Sequence, residues 1–110
     1  MAYDEELAER LRDRLEGLPG LAEQKMFGGL AFLVNGHMAV AASGQGGLLL
    51  RCPPERTDEL CEQPHAARFV MKDREMTGWL RIEPGGLVAD EDLARWIAVG
   101  LDYARSLVPK

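Results

Sequence analysis

The sequence predicts an α+β domain, with an antiparallel sheet of about five strands and three helices in the order α-β-β-β-α-β-β-α. Three observations support this class. Leucines recur at every fourth residue near the start of the chain, as on one face of a helix. Asn35-Gly36 stands between two apolar runs, which is typical of a two-residue hairpin turn. A helical stripe of apolar residues follows Asp90.

The first helix is predicted over residues 4–16. Asp4 is a suitable N-cap, and Gly17 marks the end of the helix. The apolar face consists of Leu7, Leu11 and Leu15.

The stretch 25-KMFGGLAFLVNGHMAVAAS-43 predicts strands near 24–34 and 37–43. A turn at Asn35-Gly36 pairs Val34 with His37 and Phe32 with Ala39. Both faces of this hairpin are then apolar, whereas a sheet with one solvated face alternates between apolar and polar residues. We therefore expect helices to cover one face and a second subunit to cover the other.

The remaining elements follow from turn residues and periodicity. A mid-helix glycine costs about 1 kcal/mol relative to alanine, so Gly100 in the last helix suggests close packing there. The predicted elements are a strand at Leu48–Arg51, a helix from Pro53 to about Glu62, strands at Arg68–Met71 and Trp79–Ile82, and a helix capped by Asp90 that runs to about Leu107.

Composition narrows the function classes. The 110 residues predict a single domain over 1–110, and a net charge of −5 argues against direct nucleic-acid binding. No apolar run is long enough to span a membrane, and the charged beginning of the chain is unlike a signal peptide. We expect a cytoplasmic protein, whose Cys52 and Cys61 are reduced and serve as small apolar residues.

Glycine-rich runs in the chain do not match a known cofactor loop. The pairs around Gly28-Gly29 and Gly44–Gly47 lack both the phosphate-loop and the dinucleotide-binding patterns. A bulge or twist in a strand explains the first run, and a tight turn explains the second. No cofactor is predicted.

Catalytic and metal-ligating residues are scarce as well. Cys52, Cys61 and His65 could supply three metal ligands, but Pro64 breaks the helical spacing that would align two of them. The candidate nucleophiles Ser43 and Ser106 have no evident base partner. We therefore predict no metal site, no catalytic residue and no enzymatic activity.

Trp79 and Trp96 remain as prominent residues. Packing in the core is the simpler interpretation for each of them. The alternative is that one of them anchors a protein interface, because tryptophan is enriched at interface hot spots.

Several motifs together resemble the TfoX N-terminal-domain family, also called TfoX/Sxy-like, as a single-domain member. The similarity spans about residues 3–108, and Met26, Phe27, Gly28, Gly29 and Trp79 match its signature positions without an assigned role. The motifs that carry it are Lys25-Met26-Phe27-Gly28-Gly29-Leu30, then Phe32, Val34, Gly36 and Met38, then Leu48-x-Leu50-Arg51, Thr77-Gly78-Trp79, and Trp96.

The resemblance implies an α+β fold and a role in regulation. Full-length members regulate natural competence, act with the cyclic-AMP receptor protein at particular promoters, and carry a second domain. We therefore expect a non-enzymatic regulatory or protein-interaction domain that forms a homodimer and has a protein partner in transcription regulation. The alternative is a small-molecule-binding domain with a pocket between sheet and helices, near Phe27, Met38 and Trp79.

Overall fold

The computed structural model describes residues 3–26, 28–71 and 73–108. Within these residues the predicted α+β class is confirmed, with six strands instead of about five. Single turns of 3-10 helix, at Pro54–Arg56 and Pro84–Gly86, precede the last two helices. The elements are α1 (Glu5–Leu15), β1 (Leu21–Met26), β2 (Gly29–Val34), β3 (His37–Ala42), β4 (Leu48–Arg51), α2 (Thr57–Cys61), β5 (Ala66–Met71), β6 (Arg74–Ile82) and α3 (Asp90–Ser106).

The strands form one antiparallel sheet in the order β1-β2-β3-β4-β6-β5. The additional strand arises because the region predicted as one strand, 24–34, is a hairpin. Met26 pairs with Gly29, so only two residues connect β1 to β2, and Gly28 has a φ of 75°. The bulge predicted at Gly28-Gly29 was therefore wrong: glycine at positive φ allows the chain to reverse here.

The β2–β3 hairpin begins in the predicted register and then shifts by one residue. Val34 pairs with His37 as predicted, but Phe32 pairs with Val40 instead of Ala39. Ala39 is thus the extra residue of a β-bulge, which exchanges the faces of the residues beyond it. Val40 joins the core under the helices, and Ala41 lies on the opposite face.

The two long helices begin differently. Asp4 caps α1 as predicted, since its Oδ1 accepts hydrogen bonds from the N–H groups of Glu6 at 3.0 Å and Leu7 at 3.2 Å. The predicted cap of α3 was wrong: Ala89 is its N-cap, without a side-chain hydrogen bond. Asp90 is the first helical residue, and its carboxylate accepts instead from Arg10 at 3.0 Å.

All three helices contribute to one core on one face of the sheet, which we call the helix-side core. Burial of such side chains contributes about 1.5–3 kcal/mol each, so this face supplies most of the hydrophobic stabilisation. Its members include Leu11 of α1, Leu60 of α2, Leu93 and Trp96 of α3, and Phe32, Leu50 and Leu80 of the sheet.

Candidate functional site: the strand-only face of the sheet

The opposite face of the sheet carries a second apolar cluster, which we call the strand-only face. Within the described residues every member comes from a strand, and no helix contributes. The buried members are Ala31, Met38, Ala41, Leu49 and Phe69. Four partly buried side chains pack around them and form what we call the rim: Met26, Leu33, Met76 and Trp79.

The centre of the strand-only face is buried although no described helix covers it. Leu49 is 2% exposed and Ala41 is 1% exposed. Because alanines occupy part of the centre, the larger side chains around it can close over the sheet. Among the described residues of this face, the apolar side chains that reach solvent are therefore those of the rim and not those of the centre.

A hydrogen-bonded junction positions Trp79 on the rim. Gly78 has a φ of 87°, and its N–H donates to Thr57 Oγ1 at 2.8 Å. The Gly78 carbonyl accepts from the N–H of Cys52 at 3.0 Å. The glycine in Thr77-Gly78-Trp79 thus turns the backbone where β6 meets α2, which presents Trp79 beside Phe69, at 6.1 Å between ring centroids.

The two tryptophans differ in their surroundings. Trp96 is 1% exposed and belongs to the helix-side core, which fits the simpler interpretation of the sequence. Trp79 is half-buried and lies on the rim. Core packing alone therefore does not account for Trp79.

Two arginines flank the strand-only face at opposite ends of β4. Arg81 pairs with Leu49, and its Nη2 donates to the carbonyls of Gln45 at 3.1 Å and Gly46 at 2.9 Å. Arg51 pairs with Trp79, and its guanidinium carbon lies 5.4 Å from the centroid of that ring. Arg51 ends the motif Leu48-x-Leu50-Arg51, but its position beside aromatic rings is not evident from the sequence, because those rings come from elements distant in sequence.

Two of the five signature residues lie on the same face of the sheet. Met26 and Trp79 both lie on the rim, although one belongs to β1 and the other to β6. Gly28 and Gly29 form and follow the β1–β2 turn and do not line this face as side chains. Phe27 lies outside the described residues, so its predicted role stays a prediction.

A separate groove lies between the beginnings of α1 and α3, with a volume of about 320 Å³. Arg10 and Asp90 form an ion pair at 3.0 Å on its wall. Arg10 is thus already paired with a carboxylate there. The pocket predicted near Phe27, Met38 and Trp79 includes a residue outside the described ones and stays a prediction.

The residues considered for catalysis or metal binding have structural partners. Ser43 Oγ accepts from the N–H of Gln45, Ser106 Oγ donates to the carbonyl of Tyr103, and His37 Nε2 donates to the carbonyl of Val108. Across the described ranges, no group of three or more histidine, cysteine or acidic side chains is arranged to hold a metal ion. Cys52 is buried beside Thr57, and desolvation raises the pKa of its thiol.

The fold and the strand-only face define a small α+β domain with an apolar sheet face. The model of the TfoX N-terminal domain family matches residues 13–104, and the chain belongs to this family. Searches among curated proteins and among solved structures found no match.

None of the helices in the described residues has both the length and the apolar composition needed to cross a membrane.

Proposed function

We propose that this domain is a non-enzymatic, regulatory protein-interaction domain that forms a homodimer through the rim of its strand-only face. The observation that carries the proposal is that the described helices lie on one face of the sheet only. The helices pack on one face, and the other face exposes an apolar rim that no described helix covers. Membership of the TfoX N-terminal domain family supports the regulatory part of the proposal.

The composition of the rim suits a protein interface. It contains Met26, Met76 and Trp79, and methionine and tryptophan are residue types enriched where protein surfaces meet. A two-fold axis through this face would cover the rims of both copies with one self-complementary surface. A second copy is the proposed occupant because a single contact of this kind leaves no apolar rim exposed on either chain.

The proposal includes contact with a further protein in transcription regulation, and not direct binding to DNA. The net charge of −5 supports this, because phosphate contacts depend on excess positive charge. In addition, carboxylates of the chain itself form ion pairs with several arginines, namely Arg10, Arg12, Arg56, Arg68 and Arg95. The domain would then regulate transcription through contacts with other proteins and not through contacts with DNA.

Light scattering coupled to size exclusion tests the homodimer. The chain has a mass of 12.2 kDa, so we expect about 24 kDa at high micromolar concentration and a shift toward the monomer on dilution. Met76→Glu places a charge on the rim and should give a monomer whose circular dichroism spectrum matches that of the wild-type chain. Val88→Glu is the matched control, since Val88 is 80% exposed and lies on the separate groove.

A mass that stays near 12 kDa over the whole concentration range would overturn the homodimer. A dimer that persists in Met76→Glu but not in Val88→Glu would move the interface away from the rim. Either result leaves the family membership unchanged.

A further inference from the structure

The side chain of Arg51 lies over two aromatic rings from different elements. Its guanidinium carbon is 5.4 Å from the ring centroid of Trp79 in β6 and 5.1 Å from that of Tyr103 in α3. Guanidinium groups pack favourably on aromatic faces, and such contacts hold the planar group in place. The orientation of Arg51 is therefore set by two rings that the fold itself positions.

Among the residues that the structure describes, none accepts a hydrogen bond from Arg51. Its Nε is buried without a partner, and no carboxylate or carbonyl of the described residues bonds to its guanidinium. A buried donor left unsatisfied is unfavourable. Arg81, the other arginine beside the strand-only face, has a buried Nε as well, but two carbonyls accept from its Nη2.

These observations define the ligand that would fit. The guanidinium carbon lies over the two rings, and the N–H groups of the guanidinium form a planar fork that matches a carboxylate in a bidentate arrangement. Among the described residues at this position, Arg51 is the cation without an anionic partner, which matches a group with a single negative charge. The half-buried ring of Trp79, which lies beside Arg51, suits an apolar carrier for that group.

We propose that Arg51, held by Trp79 and Tyr103, is a binding site for the carboxylate of an apolar acid. The acid is either a free molecule or the side chain of a glutamate flanked by apolar residues. This site goes beyond the proposed homodimer and does not depend on it, because Arg51 and both rings belong to one chain.

Nuclear magnetic resonance on the folded, nitrogen-15-labelled full chain tests the site. The probes are hexanoate and its neutral isostere hexanamide. We expect saturable shifts of the Arg51 Nε–H and Trp79 indole N–H signals with hexanoate and none with hexanamide. A second pair, acetyl-Leu-Glu-Leu-amide and its glutamine counterpart, tests a protein side chain as the source of the carboxylate.

Substitutions assign the response to Arg51. Arg51→Gln should abolish it, and Arg51→Lys, which keeps the charge but loses the planar fork, should weaken it by about tenfold. Arg95→Gln is the matched control: Arg95 also lies over a ring, 4.8 Å from the centroid of Trp96, but it already pairs with Asp92 and donates to Gln63. Circular dichroism monitors folding, and Arg51→Lys decides the matter if Arg51→Gln does not fold.

Each outcome is decisive. A response to hexanoate alone identifies a free acid, and a response to the glutamate peptide alone identifies a protein side chain. Equal responses to hexanamide, or no saturable response to any probe, overturn the site. Inorganic phosphate binding as tightly as hexanoate overturns its assignment to a carboxylate. Light scattering on the same samples reports the oligomeric state separately, so failure of the homodimer and failure of this site are distinguishable.

Discussion

Gly100 of α3 packs directly against the backbone of Ala39, the bulged residue of β3. A Cβ atom on Gly100 would stand 2.5 Å from the carbonyl oxygen of Ala39 and 3.0 Å from Cγ1 of Val40. The close packing predicted from the position of Gly100 is therefore confirmed. The bulge and the glycine form a single contact, through which α3 lies close to the sheet.

Replacing Gly100 with alanine should destabilise the domain, although alanine favours a helix by about 1 kcal/mol. The added methyl group meets backbone atoms that cannot rotate away, and overpacking of this kind costs about 1–3 kcal/mol or more. Urea unfolding measures the free energy. The control is Ala98→Gly at an exposed position of α3, which should lose about 1 kcal/mol from helix propensity alone. A Gly100→Ala protein more stable than wild type would show that α3 can shift outward.

Thr57→Val should destabilise the junction that positions Trp79. Thr57 Oγ1 accepts from the Gly78 N–H at 2.8 Å and donates to the Pro54 carbonyl at 2.9 Å, and valine removes both bonds while keeping the shape. The loss should be about 1–3 kcal/mol, because a buried N–H is left without an acceptor. Thermal or urea unfolding measures it.

Thr57→Ser is the matched control, because it retains the hydroxyl group and should lose less stability than Thr57→Val. A Thr57→Val protein as stable as wild type would show that the two hydrogen bonds contribute little.

The two cysteines should react at very different rates with iodoacetamide. Cys61 is half-buried, whereas Cys52 is 0% exposed and desolvation raises the pKa of its thiol. Mass spectrometry should show fast modification of Cys61 in the native protein and of Cys52 only after unfolding. Rapid native labelling of Cys52 would contradict its burial.

The raised pKa of Cys52 also predicts a pH dependence of stability. Above the pKa of an unfolded thiol, about 8.5, the unfolded chain loses this proton while the folded chain keeps it. Stability is therefore fully present below that pH and falls as the pH rises toward the folded pKa. Cys52→Ala removes this contribution, so its stability should change less between neutral and alkaline pH.

Direct, sequence-specific DNA binding should be absent. The chain carries a net charge of −5, and Arg12 is held by Glu9 and Glu23, whose hydrogen bonds raise the pKa of its guanidinium. A gel-shift assay at low salt should show no discrete complex. A complex that survives competitor DNA would reverse this prediction.

Elements with a strong local signal could be predicted from the sequence. The bounds of β4 were predicted as observed, and the capping of α1 followed from Asp4 alone. The signal at Gly28 was ambiguous, since a glycine pair in an apolar run fits a bulge as well as a turn. The strand predicted at Trp79–Ile82 was too short, because β6 already begins at Arg74.

Which residues lie on each face of the sheet depends on a contact that no local sequence pattern reveals. The bulge at Ala39 moves Val40 to the helix-side core, and its counterpart is Gly100, which is distant in sequence. The binding site proposed at Arg51 likewise cannot be found from a local pattern. Its residues Arg51, Trp79 and Tyr103 come from β4, β6 and α3, so only the tertiary structure assembles them.

The strand order has a consequence for how the chain assembles. Strands β1 to β4 form a meander of sequence neighbours, and β5 with β6 form a hairpin of their own. The two parts join where β4 pairs with β6, and this pairing forms only after the long segment between the two strands has closed into a loop, which slows folding. Helix α3 then packs across β3 and β4 and shares the helix-side core with Leu80 and Ile82 of β6, so it contacts both parts of the sheet. Two fragments produced by cutting the chain between β4 and β5 should therefore reassociate, because α3 of one fragment packs against β3 and β4 of the other.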